Sequence, residues 1–300
     1  MNIYHKQYTD DEFEKGTMNA PGKMFDFDYY DTIIYSNKNS TGYYIDTYGK
    51  KQVLYKLLTN SVNKHLQDIA TTSFKTLAKT KKFNRGIAAG KEVGIDNVRY
   101  NLQGQSMSVK SSTSNIAGYY DKPDRMHKKY FDTSVACRKT SFTRKNIDMW
   151  INALPFIQRC SELYKQHGGK YFLSQKKHYN RISKELKIPN SVFTTITVNY
   201  NWRTACHKDS GDFSDGLGNL IVTGQNFKGC FLGFPQFKIC IEVKPGDLLL
   251  MDVHQWHCNT ELFYTKPDGF RMSYVMYIRK NMYKCNKKIT IDKYEYLKPI

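Results

Sequence analysis

Apolar residues recur at helical spacing in the first two-thirds of this chain and in short, strand-like runs thereafter. Val53, Leu54, Leu57, Leu58, Val62, Leu66 and Ile69 predict an amphipathic helix over 52–79, with lysines on its polar side. A second helix is predicted over 145–167, with Ile147, Trp150, Ile151, Leu154, Ile157 and Leu163 as its core stripe. Pro155 should kink or divide it, and Gly168 and Gly169 should end it. A short basic helix follows over 174–187, closed by "IPN". From Val192 onward, apolar runs bounded by turn residues predict strands at 192–200, 219–224, 229–234, 237–244, 247–252 and 271–279. That succession argues an α+β chain. Its core is expected to be a double-stranded β-helix, the jelly-roll barrel of cupins, with the N-terminal helices buttressing one sheet.

The same pattern divides the chain into three parts. Residues 1–80 read as a helical and irregular extension, tyrosine-rich in its first fifty positions. Residues 81–280 read as the main domain, with the barrel at about 190–280, and 281–300 as a basic tail. Within the main domain, 101–118 is rich in Ser, Gln and Gly and predicts a mobile loop or a polar edge strand. The stretch 121–146 is basic, with Tyr130 and Phe131 interleaved. Such a stretch either grips phosphates and stacks on unpaired bases, or is an exposed loop and helix cap.

Three hundred residues suffice for one large domain, or for a core with an appended lobe. The formal charge of +19 makes a field that attracts polyanions and favours nucleic acid as partner. The abundance of Lys, Asn, Tyr and Ile also suits an AT-rich genome, and with it a virus-encoded chain. The seven cysteines are scattered, with neither a CxxC pair nor an HExxH motif, which argues against zinc. They read as small buried hydrophobes in a reducing compartment. The start of the chain is polar, and no run approaches the length of a membrane span. An intracellular protein, nuclear or cytoplasmic and without a membrane partner, is expected.

Candidate chemistry concentrates in three segments: "NYNWRTACHKDSGDF" (199–213), "GDLLLMDVHQWHCNTEL" (246–262) and "GFRMSYVMYIR" (269–279). On an extended segment His207 and Asp209 point to one face. A third ligand must come from elsewhere, and His254 and His257 both follow a predicted buried strand. Two imidazoles and one carboxylate form a facial triad for Fe(II), leaving the opposite face open for a co-substrate and O2. Arg271 and Ser273 share one face of the last strand, where a guanidinium and a hydroxyl make a clamp for the far carboxylate of 2-oxoglutarate.

These segments resemble the TET/JBP family of Fe(II)- and 2-oxoglutarate-dependent dioxygenases, which oxidise the 5-methyl group of pyrimidines in nucleic acid. The HxDxGD form is closer to the JBP-like, viral and fungal branches than to the animal enzymes. "NRGIAAG" (84–90) and "CRKTSFTR" (137–144) also resemble segments of the wider group, so the likeness covers roughly 80–280. The resemblance implies Fe(II) on His207, Asp209 and His257, with His254 as the rival distal ligand. It also implies Arg271 and Ser273 on 2-oxoglutarate, with Asn199 or Asn201 beside that co-substrate. Arg85 and Gly86 would lie near the mouth of the site. Asp212 falls where the animal enzymes place a side chain that touches the target base, and it reads equally well as a turn residue in "DSGDF". Arg203 would meet substrate phosphate, co-substrate or solvent. Two positions depart from the family: Cys230 and Cys258 stand where glycine is usual. The activity implied is hydroxylation of thymine or 5-methylcytosine, most readily in DNA, on a base flipped out of the duplex or already single-stranded. O2 and 2-oxoglutarate are consumed, with succinate and CO2 released. The same triad would also serve a hydroxylase of a protein side chain or a free nucleotide, or survive in a non-catalytic binding module.

Overall fold

The computed structural model describes residues 2–83, 85–90, 98–100, 106–108, 111–123 and 135–285. Asn84, residues 101–105 and 109–110, Tyr130, Phe131 and the tail beyond Cys285 lie outside the described residues. So do the expectations attached to them.

Thirteen strands build the two sheets that matter for the site. They are β1 (Asn2–Ile3), β2 (Thr32–Ile34), β3 (Ser40–Ile45), β4 (Lys51–Leu58), β5 (Ser114–Pro123), β6 (Val135–Lys139) and β7 (Thr195–Tyr200), followed by β8 (Gly218–Gln225), β9 (Leu232–Phe234), β10 (Ile239–Ile241), β11 (Leu248–Met251), β12 (Cys258–Asn259) and β13 (Phe270–Tyr277). The larger sheet runs β1-β3-β4-β11-β8-β13-β7-β5-β6, and the smaller β12-β9-β10-β2. Three helices bear on the larger sheet or on one another: α1 (Lys64–Ala78), α2 (Ile147–His167) and α3 (Gly169–Asn180). Of the helices among the described residues, none is long and apolar enough to cross a membrane.

Both faces of the larger sheet are covered, and the period of two assigns each residue its side. Ile196 and Val198 of β7, Ile221 of β8, Leu248 and Leu250 of β11, and Met272, Tyr274 and Met276 of β13 pack outward into the cluster that includes the helices. Their neighbours Leu220, Val222, Leu249 and Met251 pack inward against Leu232, Phe234, Ile239 and Ile241 of the smaller sheet. Burial on both faces explains why "LLLM" reads as an unbroken apolar run.

Several elements differ from expectation. Residues 51–58 are strand, not the first half of a helix. Leu57 and Leu58 are buried on opposite sides, and β4 pairs antiparallel with β11, from Leu58↔Leu248 to Tyr55↔Met251. The helix proper begins at Lys64, where the Asn63 side chain accepts the Leu66 N–H at 3.0 Å. The N-terminal residues are not merely irregular, because β2 pairs parallel with β10, and β3 antiparallel with β4. Helix α2 runs unbroken past Pro155, since its buried face (Trp150, Phe156, Ile157, Cys160, Tyr164) is anchored on both sides of the proline. Ile147 and Ile151, expected in the core stripe, are about half exposed. The basic helix starts at Gly169 rather than 174. Gly169 has φ +52°, the left-handed turn that separates α2 from α3. Cys137 and Cys285 are not isolated hydrophobes but are paired as a disulfide, with Cα atoms 5.8 Å apart. The other five cysteines are buried and free.

Candidate active site

The chain places His207 and His257 on one backbone rung. Each donates its N–H to the other's carbonyl at 3.0 Å, in an antiparallel bridge at the edge of the smaller sheet. Their rings lie 4.3 Å apart, centre to centre. His207 Nδ1 is 2.9 Å from the Ala205 carbonyl, and His257 Nδ1 is 3.0 Å from that of Gln255. A carbonyl only accepts, so each Nδ1 carries the proton and each Nε2 keeps its lone pair. Those lone pairs face the Asp209 carboxylate, at 3.6 Å from His207 Nε2 and 3.7 Å from His257 Nε2. The separations exceed hydrogen-bond length. Electron-rich atoms gathered this way call for a cation between them. One ligand atom from each residue can be chosen so that all three lie within 4.8 Å of one another, a grouping able to hold one metal ion. Burial, reinforced by the facing His207 ring, depresses the His257 pKa to about 4, so that ring is neutral and ready to ligate at neutral pH. His254, the rival, stands outside the cluster with its Nδ1 3.4 Å from Asp252.

The cluster opens into a cavity of about 910 Å³. Strand β13 supplies one wall through alternate residues Arg271, Ser273, Val275 and Tyr277, and the row continues to Arg279. Arg271 is 3% exposed, and its Nε has no hydrogen-bond partner. Ser273 pairs with Asn199 across the β13–β7 ladder, and Asn199 Nδ2 donates to Ser273 Oγ at 3.1 Å. A buried, under-satisfied guanidinium beside an oriented hydroxyl is a receptor for a carboxylate. Two imidazoles, one carboxylate and this receptor in one cavity fit Fe(II) with 2-oxoglutarate.

Residues 115–280 match the model of a family described as the oxygenase domain of the 2OGFeDO superfamily, Tet_JBP. The chain belongs to this family. Iron(II), 2-oxoglutarate and dioxygen are the metal and co-substrates of the superfamily, and the donor set above suits them. Among curated relatives, thymine dioxygenase JBP1-B of Trypanosoma cruzi is 35% identical over 184 residues, covering 61% of this chain and 21% of its own. Bifunctional helicase and thymine dioxygenase JBP2 of Leishmania braziliensis is 32% identical over 204 residues, covering 67% of this chain and 17% of its own. The chain thus spans about a fifth of the length of the curated relatives it matches. Among solved structures, NgTET1 in complex with 5mC DNA aligns over 88% of this chain and 89% of that one, at a TM-score of 0.54 and 12% identity, which shows a shared fold.

Other expected site residues of this Tet_JBP chain fall into two groups. Asp212 lines the cavity, 7% exposed, with one carboxylate oxygen unpartnered. Burial first, and then the nearby Asp209 charge, push its pKa well above the carboxylate range. Arg85 and Gly86 also line the cavity. By contrast, Asn201 and Arg203 are outside the lining. Asn201 adopts φ +48° and its side chain accepts the Arg271 N–H at 2.8 Å, which fixes the start of β13. The Arg203 guanidinium holds the Asn259 and Phe25 carbonyls at 3.0 Å and the Asp26 carboxylate. The sequence reading missed Trp202, Lys208, Trp256 and Arg279, all of them lining residues. Arg279 was accessible to it, because it is the next member of the alternating row.

Both departures from the family have a structural setting. Cys230 holds φ +56°, a left-handed conformation natural to glycine. Cys258 is buried directly after His257, and its sulfur lies 3.1 Å from the Tyr30 hydroxyl.

Proposed function

We propose that this chain hydroxylates the 5-methyl group of a pyrimidine base in DNA, with thymine the first candidate. The observation that carries the reading is the His207–Asp209–His257 cluster sharing one cavity with the buried Arg271, whose Nε is unpartnered, in a member of the Tet_JBP family. Thymine is placed ahead of 5-methylcytosine because the curated relatives are thymine dioxygenases.

His207, Asp209 and His257 would hold Fe(II), with the two Nδ1–H···O=C contacts fixing both rings. Arg271 would take the far carboxylate of 2-oxoglutarate, and Ser273, oriented by Asn199, would add a hydrogen bond. The bound iron, 2-oxoglutarate and O2 together supply the oxidising power that turns a methyl C–H into C–OH. A cavity of about 910 Å³ is near the upper end for small-molecule sites, leaving room for a base beside the co-substrate. A methyl inside a duplex cannot reach such a site, so the base enters flipped or from single-stranded DNA. Asp212, with its unpartnered oxygen, is the group proposed to meet the polar edge of that base. Lys208, 4.7 Å from the Trp256 ring, puts a cation in the same lining.

Nucleoside mass spectrometry tests this. The protein, Fe(II), 2-oxoglutarate and ascorbate are incubated with DNA carrying thymine and 5-methylcytosine, beside an Asp209→Ala control. Hydroxymethyluracil absent from the control is expected. Hydroxymethylcytosine alone would correct the base. No oxidised base, from protein that binds both metal and 2-oxoglutarate, would overturn the reading.

A further inference from the structure

We propose that Arg279 and Asp121 form a positioning pair for the carboxylate arm of the metal cluster. The inference rests on the metal-binding part of the reading above and not on its DNA substrate. Asp209 lies on a connection that leaves the cluster and crosses to the far end of β13. One side of it is fixed by the Asp209 N–H, which donates to the Val253 carbonyl at 3.0 Å. The other side is zipped to residues 278–280. The Phe213 N–H donates to the Ile278 carbonyl at 3.0 Å, the Lys280 N–H to Gly211 at 3.1 Å, and Lys280 Nζ to Ser210 at 2.7 Å.

Arg279 lies across this connection. A Cβ on Gly211 would stand 3.2 Å from both terminal nitrogens of the guanidinium, so a side chain at 211 would press the fork a few tenths of an ångström off its place over the connection. On its other side, Arg279 Nε donates to the Asp121 carboxylate, which is 3% exposed. Asp121 sits near the end of β5, paired with Cys137 of β6. One guanidinium therefore bridges the β5–β6 edge of the sheet and the connection that carries a metal ligand. A carboxylate this buried is tolerable only with its cation present, so removing either charge releases the bridge. The histidines do not depend on it, because each holds the other through the backbone. Loss of the pair should therefore weaken metal binding without abolishing it.

The test uses the full chain and cobalt(II) alone, titrated by calorimetry and by visible absorption. Asp121→Asn and Gly211→Ala are each expected to raise the Co(II) dissociation constant by about tenfold or more, the usual scale for groups that orient metal ligands. The visible band should shift as the carboxylate is lost from the metal. Arg279→Lys should fall between them and the wild type, because lysine keeps the charge on Asp121 but loses the flat fork over Gly211. Melting of the metal-free protein separates this role from a purely structural one. Affinity should fall in Gly211→Ala even where melting matches the wild type. If affinity is unchanged, or falls only in step with melting across all three variants, the proposal is overturned. If Asp121→Asn does not fold, Gly211→Ala decides alone, because it leaves the ion pair's two charges in place. Failure of the DNA reading would not alter any of these outcomes, since no nucleic acid is present.

Discussion

Strand β13 and its extension carry two arginines into one cavity, and the fold treats them in opposite ways. Arg271 is buried with its Nε unpartnered, whereas Arg279 donates its Nε to a buried carboxylate. Both belong to the same alternating row. A buried cation left incomplete costs folding free energy, so it is retained where an incoming anion completes it. A cation already matched is part of the wall. The difference marks one end of the cavity as receptor and the other as framework.

The strongest way to sharpen this contrast is to remove what both ends serve. Asp209→Ala should abolish succinate formation while the metal-free protein melts near the wild-type temperature; normal turnover would dissolve the site assignment. Next comes pH, which should act on the cluster and not on the guanidinium end, since arginine does not titrate in this range. His257 stays neutral in the folded metal-free chain down to about pH 4, while an unfolded histidine protonates near 6.5. Between those values the unfolded state binds the extra proton. Stability is then lost as pH falls through the window, by at most about 3 kcal/mol. Thermal melts from pH 7 to 4 should show that slope, and His257→Ala should flatten it. For Arg271→Ala we expect about hundredfold weaker 2-oxoglutarate binding, from loss of a charge-assisted fork, and about tenfold for Arg271→Lys. Calorimetry with the cobalt-loaded protein reads both. An equal loss in Arg279→Lys would break the distinction between the arginines. Ser273→Ala should cost least, roughly two- to tenfold in the same titration, as one neutral hydrogen bond does.

The order of ligand types along the chain was legible because each rides on a strand with a clear apolar signature. The expected strands at 219–224, 247–252 and 271–279 correspond closely to β8, β11 and β13. Residues 51–58 were misread because "KQVLYKLL" satisfies two periods at once. Local spacing cannot reveal that the partner of Leu58 is Leu248. The stripe of α2 was drawn through Trp150 and five aliphatic residues, yet its core is carried partly by Phe156, Cys160 and Tyr164, while Ile151 faces outward. Arg203 looked available because its partners, Phe25 and Asp26, come from a remote segment with no recognisable pattern. Asp121 was invisible for the same reason, since its importance comes only from what the fold brings against it.

The rung shared by His207 and His257 gives the centre a timing as well as a shape. Fifty positions of chain separate the two residues, and neither ring is placed until the segments bearing them have zipped together. Closure across such a separation is among the slower events of folding. A half-made barrel therefore has no competent metal centre, and capture of the ion becomes a clock that starts only when the smaller sheet is complete.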